Sequence, residues 1–279
     1  MTIEIDTGTE ELLCSIEDRV ATVTLNKPHK KNALGDILTP ALREILLVLE
    51  ADKRVGTVMR TGAGNAFCAG GDVSEMGRSN APKHKPEDLP TTEEKVSNLI
   101  RKQESLTLRL YELSKPTIAA LPGAAAGAGL SIALATDLRI ASRDAFILTA
   151  FVNIGLSGDY GSSWFLNRLI GQSKAKELMF RSERVYAEEC ERLGLVNRVF
   201  DNEPFRAAAQ QYAAEIANAP ATALSLMKKN INRGAFQGLR ESLAMEAEHL
   251  MLANQSPDSA EAVRAFMEKR KPQFHKIAK

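Results

Sequence analysis

Apolar and polar positions alternate along residues 12–25, "LLCSIEDRVATVTL", with Val20, Thr22 and Thr24 two apart and a break at Asp18-Arg19. This pattern predicts two strands around a tight turn. In "GDILTPALREILLVLEAD" the apolar positions Leu38, Ala41, Leu42, Ile45 and Leu49 are three or four apart, which predicts an amphipathic helix. "VGTVMRTG" (55–62) reads as a short buried strand. "KPTIAALPG" (115–123) and "TDLRIASRDAFIL" (136–148) bring further strands, separated by "AAAGAGLSIALA", a loop feeding a buried helix. Strands alternating with helices predict α/β architecture with parallel pairing. Residues 77–95, "GRSNAPKHKPEDLPTTEEK", are polar and proline-rich without periodicity, which predicts a long mobile loop of the kind that covers active sites. From about residue 201 the pattern turns almost wholly helical. The expected organisation is a core unit over 1–203 and a helical unit over 204–279, with no internal repeat.

Composition narrows the classes. The 279 residues are 44% apolar and 25% charged, ordinary for a globular protein, and the net charge of +1 gives no bulk attraction to nucleic acid or anionic membrane. Cys14, Cys68 and Cys190 are odd in number and widely spaced, as reduced thiols of an intracellular protein are. The four histidines have no metal-ligand spacing, so no metal is expected. "MTIEIDTGTEE" is no secretory leader and "IAK" no peroxisomal address, so a cytoplasmic location is expected. No apolar run spans a bilayer.

Three stretches carry candidate chemistry. "GNAFCAGGDVSEM" (64–76) and "PGAAAGAGLSIALATD" (122–137) are rich in small residues, which let a ligand approach the backbone closely. The second runs into a helix start, where N–H groups are unpaired and the dipole favours negative charge. Two such donors converging on one oxygen would form an oxyanion hole; taken singly, either loop could serve close packing alone. "GAGL" lacks the spacing and acidic partner of a dinucleotide fingerprint. In "NIGLSGDYGSSWFL" (153–166), Asp159 stands between an apolar, strand-like run and a helix start. It is either a cap for that helix or a catalytic carboxylate.

In this order, "AFCAGGD", "KPTIAALPGAAAGAGLSIALATDLRIAS", "GLSGDYGSSWFLNRLIG" and "AEECERLGLVNRVF" resemble the enoyl-CoA hydratase/isomerase (crotonase) family, from about Leu12 to the C-terminal "AFMEKRKPQF". The resemblance implies a crotonase-like spiral of ββα repeats with a C-terminal helical region that supports trimers or hexamers. It implies an acyl-CoA thioester substrate, with coenzyme A part of that substrate and no further cofactor. The backbone N–H groups of Gly71 and Ala128 would hold a thioester enolate. "PHKKNAL" and "CAGGDV" would line the coenzyme A groove through Lys30, Lys31, Ala69, Gly71, Asp72 and Val73. Phe266 and Lys269 of "AFMEK" would contact coenzyme A as well, although for the lysines a solvated surface charge is the alternative.

An enolate hole does not fix the reaction. Hydratases of the family place two glutamates around a water, and an ungapped match puts Ser131 and Phe151 at those positions. Neither is a carboxylate, and Phe151 would make that wall apolar. Asp159 falls where many of the family's double-bond isomerases carry an acidic proton shuttle, in "GLxxDxG". Neighbouring Phe146, Phe151 and Trp164 would raise its pKa by desolvation. Isomerisation of an enoyl-CoA is therefore expected. The alternatives are enoyl-CoA hydration in fatty-acid or aromatic-acid degradation, and a non-catalytic acyl-CoA-binding scaffold. A nucleophilic Asp159 partnered by His84 is a remote third. Excess apolar surface on "AAAQQYAAEIA" and "LRESLAMEAEHLML" independently predicts subunit contacts.

Overall fold

The computed structural model of the chain describes residues 1–72 and 90–275. The predicted hairpin forms. A short strand β1 (Ile3–Ile5) pairs with β2 (Leu12–Glu17), which pairs antiparallel with β3 (Val20–Leu25). At the turn, Asp18 and Arg19 both take positive φ, 47° and 65°, the twist-matched geometry of a two-residue hairpin.

Beyond the hairpin the strands alternate between two sheets. β4 (Thr57–Gly62), β6 (Thr117–Leu121), β8 (Leu138–Ser142) and β11 (Arg198–Phe200) extend the first sheet in parallel, giving the order β1-β2-β3-β4-β6-β8-β11. β5 (Ala66–Cys68), β7 (Ala124–Ala126), β9 (Phe146–Leu148) and β10 (Val185–Tyr186) form the second, in the order β10-β9-β7-β5. Each step of this spiral lays one strand in each sheet and returns through a helix or loop.

The helices of seven residues or more within this part are α1 (Leu38–Ala51), α2 (Thr92–Gln103), α3 (Ala128–Leu134), α4 (Ser162–Arg181) and α5 (Ala187–Leu193). After it come α6 (Phe205–Ala217), α7 (Ala221–Gly234), α8 (Leu239–Asn254) and α9 (Pro257–Met267). The period of two sorts the first sheet's side chains between two cores. Ala21, Val23, Val58 and Ala119 face the main core between the sheets, where Phe67, Leu130 and Phe165 meet them. Val20, Met59, Ile118 and Ile140 face outward and are covered by Phe205, Ala209, Ala213 and Ala217 of α6.

Two expectations need correction. The loop expected over 77–95 stops short of its predicted end, because α2 begins at Thr92 behind a capping box between Thr91 and Glu94; residues 73–89 lie outside the described residues. The apolar run before Asp159 is a 3₁₀ turn over Phe151–Ile154, not a strand. Ala150 and Gly155, on either side of that turn, take left-handed φ of 63° and 70°, which extended pairing does not allow.

Candidate functional site

The two glycine loops meet because β5 and β7 are parallel neighbours, with Ala66 opposite Ala124 and Cys68 opposite Ala125. Both chains therefore leave the second sheet at the same end. Beyond it, Leu34 bridges to Gly71: the Leu34 N–H donates to the Gly70 carbonyl at 2.8 Å, and the Asp72 N–H donates to the Leu34 carbonyl at 2.9 Å. In such a parallel bridge the central residue's own N–H points the other way, so that of Gly71 is turned from Leu34. The second loop flanks this segment. A methyl group on Gly70, whose φ is +98°, would stand 3.0 Å from the Ala126 carbonyl oxygen and 3.5 Å from the Ala128 nitrogen. Ala128 opens α3, so its N–H has no intrahelical acceptor. Among the described residues, neither the Gly71 nor the Ala128 N–H makes a hydrogen bond. The arrangement offers two main-chain donors on adjoining loops at a helix N-terminus, which suits an oxyanion.

Around the first loop the side chains are paired. Asp72 is buried, with the Lys30 Nζ at 2.6 Å and the Lys27 Nζ at 3.4 Å. Lys30 and Asp72, both expected to line a groove, thus engage each other and fasten the 3₁₀ turn at Pro28–Lys30 to the loop. Ala69 is exposed beside them, its N–H donating to the Lys31 carbonyl at 2.9 Å. Lys31 borders a cavity of about 790 Å³, with Asn65, Pro122, Phe146, Arg184 and Arg206 on its walls. Val73 and His84 lie outside the described residues. At the far end of the chain, Phe266 is 82% exposed and Lys269 is exposed just after α9; in a single chain neither belongs to a buried site.

Asp159 is no helix cap. The cap position is Gly161, with φ of +83° and no side-chain bond, and Asp159 contributes only its main-chain carbonyl, which accepts from the Ser162 N–H at 3.2 Å. Its half-buried carboxylate has one oxygen, Oδ1, fully enclosed and without a hydrogen-bond partner among the described residues. Burial alone pushes the carboxyl up to about 6.

The wall nearby is apolar. Phe151 is buried and its ring would lie 3.5 Å from a methyl group on Gly158. Through Ala150, whose Cβ would be 3.9 Å from one on Gly127, this wall joins the second glycine loop. Ser131, fully buried one turn into α3, donates its hydroxyl to the Gly127 carbonyl at 3.2 Å. Phe146, expected beside Asp159, instead packs against Tyr186 and Arg184 on the Lys31 cavity. It sits in β9, before the chain turns back towards Asp159. Trp164 belongs to an aromatic group with Tyr111, Phe165 and Phe236, the Arg168 guanidinium 3.7 Å from its ring centre.

Sequence patterns missed two contributors. Lys27 is buried beside Asp72, and Gln103 accepts the Tyr160 N–H at 2.7 Å. A Lys before a Pro and a Gln at a helix end carry no periodic signal. Among the described residues, no group of three or more His, Cys, Asp or Glu is placed to hold a metal ion, and no helix is long and apolar enough to cross a membrane.

The enoyl-CoA hydratase/isomerase family pattern matches residues 15–277. A 1,2-epoxyphenylacetyl-CoA isomerase of Escherichia coli is 37% identical over 265 residues, covering 95% of this chain and 98% of that protein. A short-chain-enoyl-CoA hydratase of Clostridium acetobutylicum is 35% identical over 256 residues, covering 91% and 94%. The crystal structure of an enoyl-CoA hydratase from Polaromonas superposes with a TM-score of 0.84 at 32% identity, over 94% of this chain and 98% of that one. With the spiral of paired sheets and its helical C-terminal region, these matches have one meaning: the chain is an enzyme of the enoyl-CoA hydratase/isomerase family, whose members act on acyl-CoA thioesters.

Proposed function

We propose that the protein moves the double bond of an enoyl-CoA thioester, with Asp159 carrying the proton. One observation carries this: the half-buried Asp159 carboxylate, its enclosed Oδ1 without a hydrogen-bond partner among the described residues, stands by an apolar wall, and the two positions where a hydratase would need carboxylates hold Ser131 and Phe151. A water to be added across a double bond needs acceptors that orient and deprotonate it, and the Ser131 hydroxyl is already committed to Gly127. A proton shuttle needs only one group. Asp159 would take a proton from one carbon, leaving a dienolate whose charge rests on the thioester oxygen. The Gly71 and Ala128 N–H groups would hold that oxygen while Asp159 returned the proton two carbons along. A carboxyl near 6 is mostly ionised at neutral pH and still a competent acid once protonated. Among the relatives, the E. coli protein is named an isomerase, of an epoxide-bearing phenylacetyl-CoA, and the Clostridium protein a hydratase.

On this proposal coenzyme A enters as part of the substrate, with no further cofactor, along a groove bordered by Lys30, Lys31, Ala69 and Asp72. Phe266 and Lys269, exposed on the single chain, would gain their partners when ligand or a second subunit covers them. The enzyme would work in the cytoplasm as a trimer or hexamer. The test is a panel of 2-enoyl, 3-enoyl and ring-bearing CoA thioesters assayed for both reactions. Isomerisation of 3-enoyl substrates should dominate; hydration of 2-enoyl-CoA as the main activity would overturn the proposal.

A further inference from the structure

We infer that Gln103 is a positioning residue for the Asp159 carboxylate, an inference that rests on the proposal that Asp159 carries the proton. Tyr160, next in the chain, has φ of 50°. The left-handed region is unfavourable for a side-chain-bearing residue, so its neighbours must hold it there. Three contacts do. Its N–H donates to the Gln103 Oε1 at 2.7 Å, its hydroxyl accepts from Arg43 Nη2 at 3.5 Å, and its ring is buried.

The first contact acts directly on Asp159. The Tyr160 N–H lies in the same rigid peptide plane as the Asp159 carbonyl, and that carbonyl accepts from the Ser162 N–H at 3.2 Å. The plane is thus gripped from both sides, by Gln103 and by the first turn of α4. This fixes the backbone from which the carboxylate projects and keeps it from swinging over the helix end to become a cap. Gln103 is itself fixed, being the last residue of α2 before a π-helical turn at Glu104–Leu108. Such widened turns recur at functional sites. The π-turn also meets the loop at a second point, because a methyl group on Gly161 would stand 3.8 Å from the Thr107 methyl.

Four proteins test the inference: wild type, Asp159→Asn, Gln103→Met and Gln103→Glu, each assayed for kcat, KM and pH profile on a 3-enoyl-CoA and for melting temperature. Gln103→Met keeps the side chain's length and removes its amide. It should lower kcat about tenfold, part of the ~hundredfold that a 1 Å misplacement can cost, with KM and melting temperature near wild type. Gln103→Glu retains an acceptor for the Tyr160 N–H, so kcat should recover above neutral pH. The added like charge should move the midpoint of the profile upward; Arg43 meets the loop at the Tyr160 hydroxyl, 3.5 Å away. An inactive Asp159→Asn with wild-type kcat in Gln103→Met would overturn the role of Gln103 and leave the proposed function standing. Loss of stability in Gln103→Met without rescue by Gln103→Glu would overturn it too, as ordinary packing. Full turnover in Asp159→Asn would overturn the proposed function, and this inference with it.

Discussion

Burial holds the Asp159 carboxyl near 6 in the folded chain, against about 3.9 for a carboxyl in an unfolded one. Between those values the folded state retains a proton that the unfolded state has released. The Asp159 contribution to wild-type stability should therefore fall as pH rises from about 4 to about 6. An asparagine side chain cannot ionise, so Asp159→Asn should melt with wild type at pH 4 and above it at pH 7 to 8, by calorimetry. Turnover should show the reverse, falling roughly a hundredfold on a 3-enoyl-CoA with coenzyme A affinity unchanged. The wild-type rate should rise with pH through about 6, as the base ionises. A second residue-scale test exploits the place of Ala128 as the first helical residue, where proline is tolerated. Ala128→Pro removes one N–H donor, and isomerase turnover should drop by about a hundredfold, or ~2.7 kcal/mol. That Asp159 was a candidate for the chemistry was legible in "GLSGDYG". That it does not cap the helix was not, because the cap depends on the φ of Gly161, which a row of letters does not display.

Elements were legible in proportion to their length. The hairpin at 12–25 and α1 carry several periods of their pattern, and both formed as predicted. β5 and β7, three residues each, are too short to show a period and read as loop. Their pairing comes from the parallel stacking of neighbours distant in sequence. The start of α2 was visible in principle, since "TTEE" holds Thr91 three before Glu94, but proline and charge around it gave the stretch the composition of a loop. Within β4, Arg60 runs against its surroundings. It is completely buried, its three guanidinium nitrogens have no hydrogen-bond partner among the described residues, and burial lowers its pKa to about 10. Exchanging it for an unbranched apolar chain of similar reach should relieve that desolvation. Arg60→Met should raise the unfolding free energy by about 1 kcal/mol or more, the sense seen when buried charges are replaced by packed apolar groups, measured by urea denaturation.

On the scale of the molecule, the helices after residue 205 divide in two. α6 closes the outer core, and α7 is anchored by Lys228, whose buried Nζ meets Asp137 at 2.9 Å. α8 has no buried residue at all, while Leu239, Leu243, Leu250 and Met251 are each more than half exposed. Exposed apolar patches of this kind mark contact surfaces. Wild type should sediment as a trimer or hexamer at micromolar concentration, and Leu250→Asp with Met251→Asp should shift it towards monomer. The apolar excess of these helices was plain in the sequence, but which of them covers the core was not, since that depends on the outward face of a sheet assembled from segments far apart in the chain. The meeting of the two glycine loops has a consequence for descent. The donors at Gly71 and Ala128 belong to the polypeptide itself, so scarcely any point mutation except one to proline can delete them, whereas Ser131, Phe151 and Asp159 can each be exchanged by a single codon change. If those donors hold an enolate as proposed, a lineage built on this frame could alter its reaction one step at a time and keep the same main-chain donors at every step.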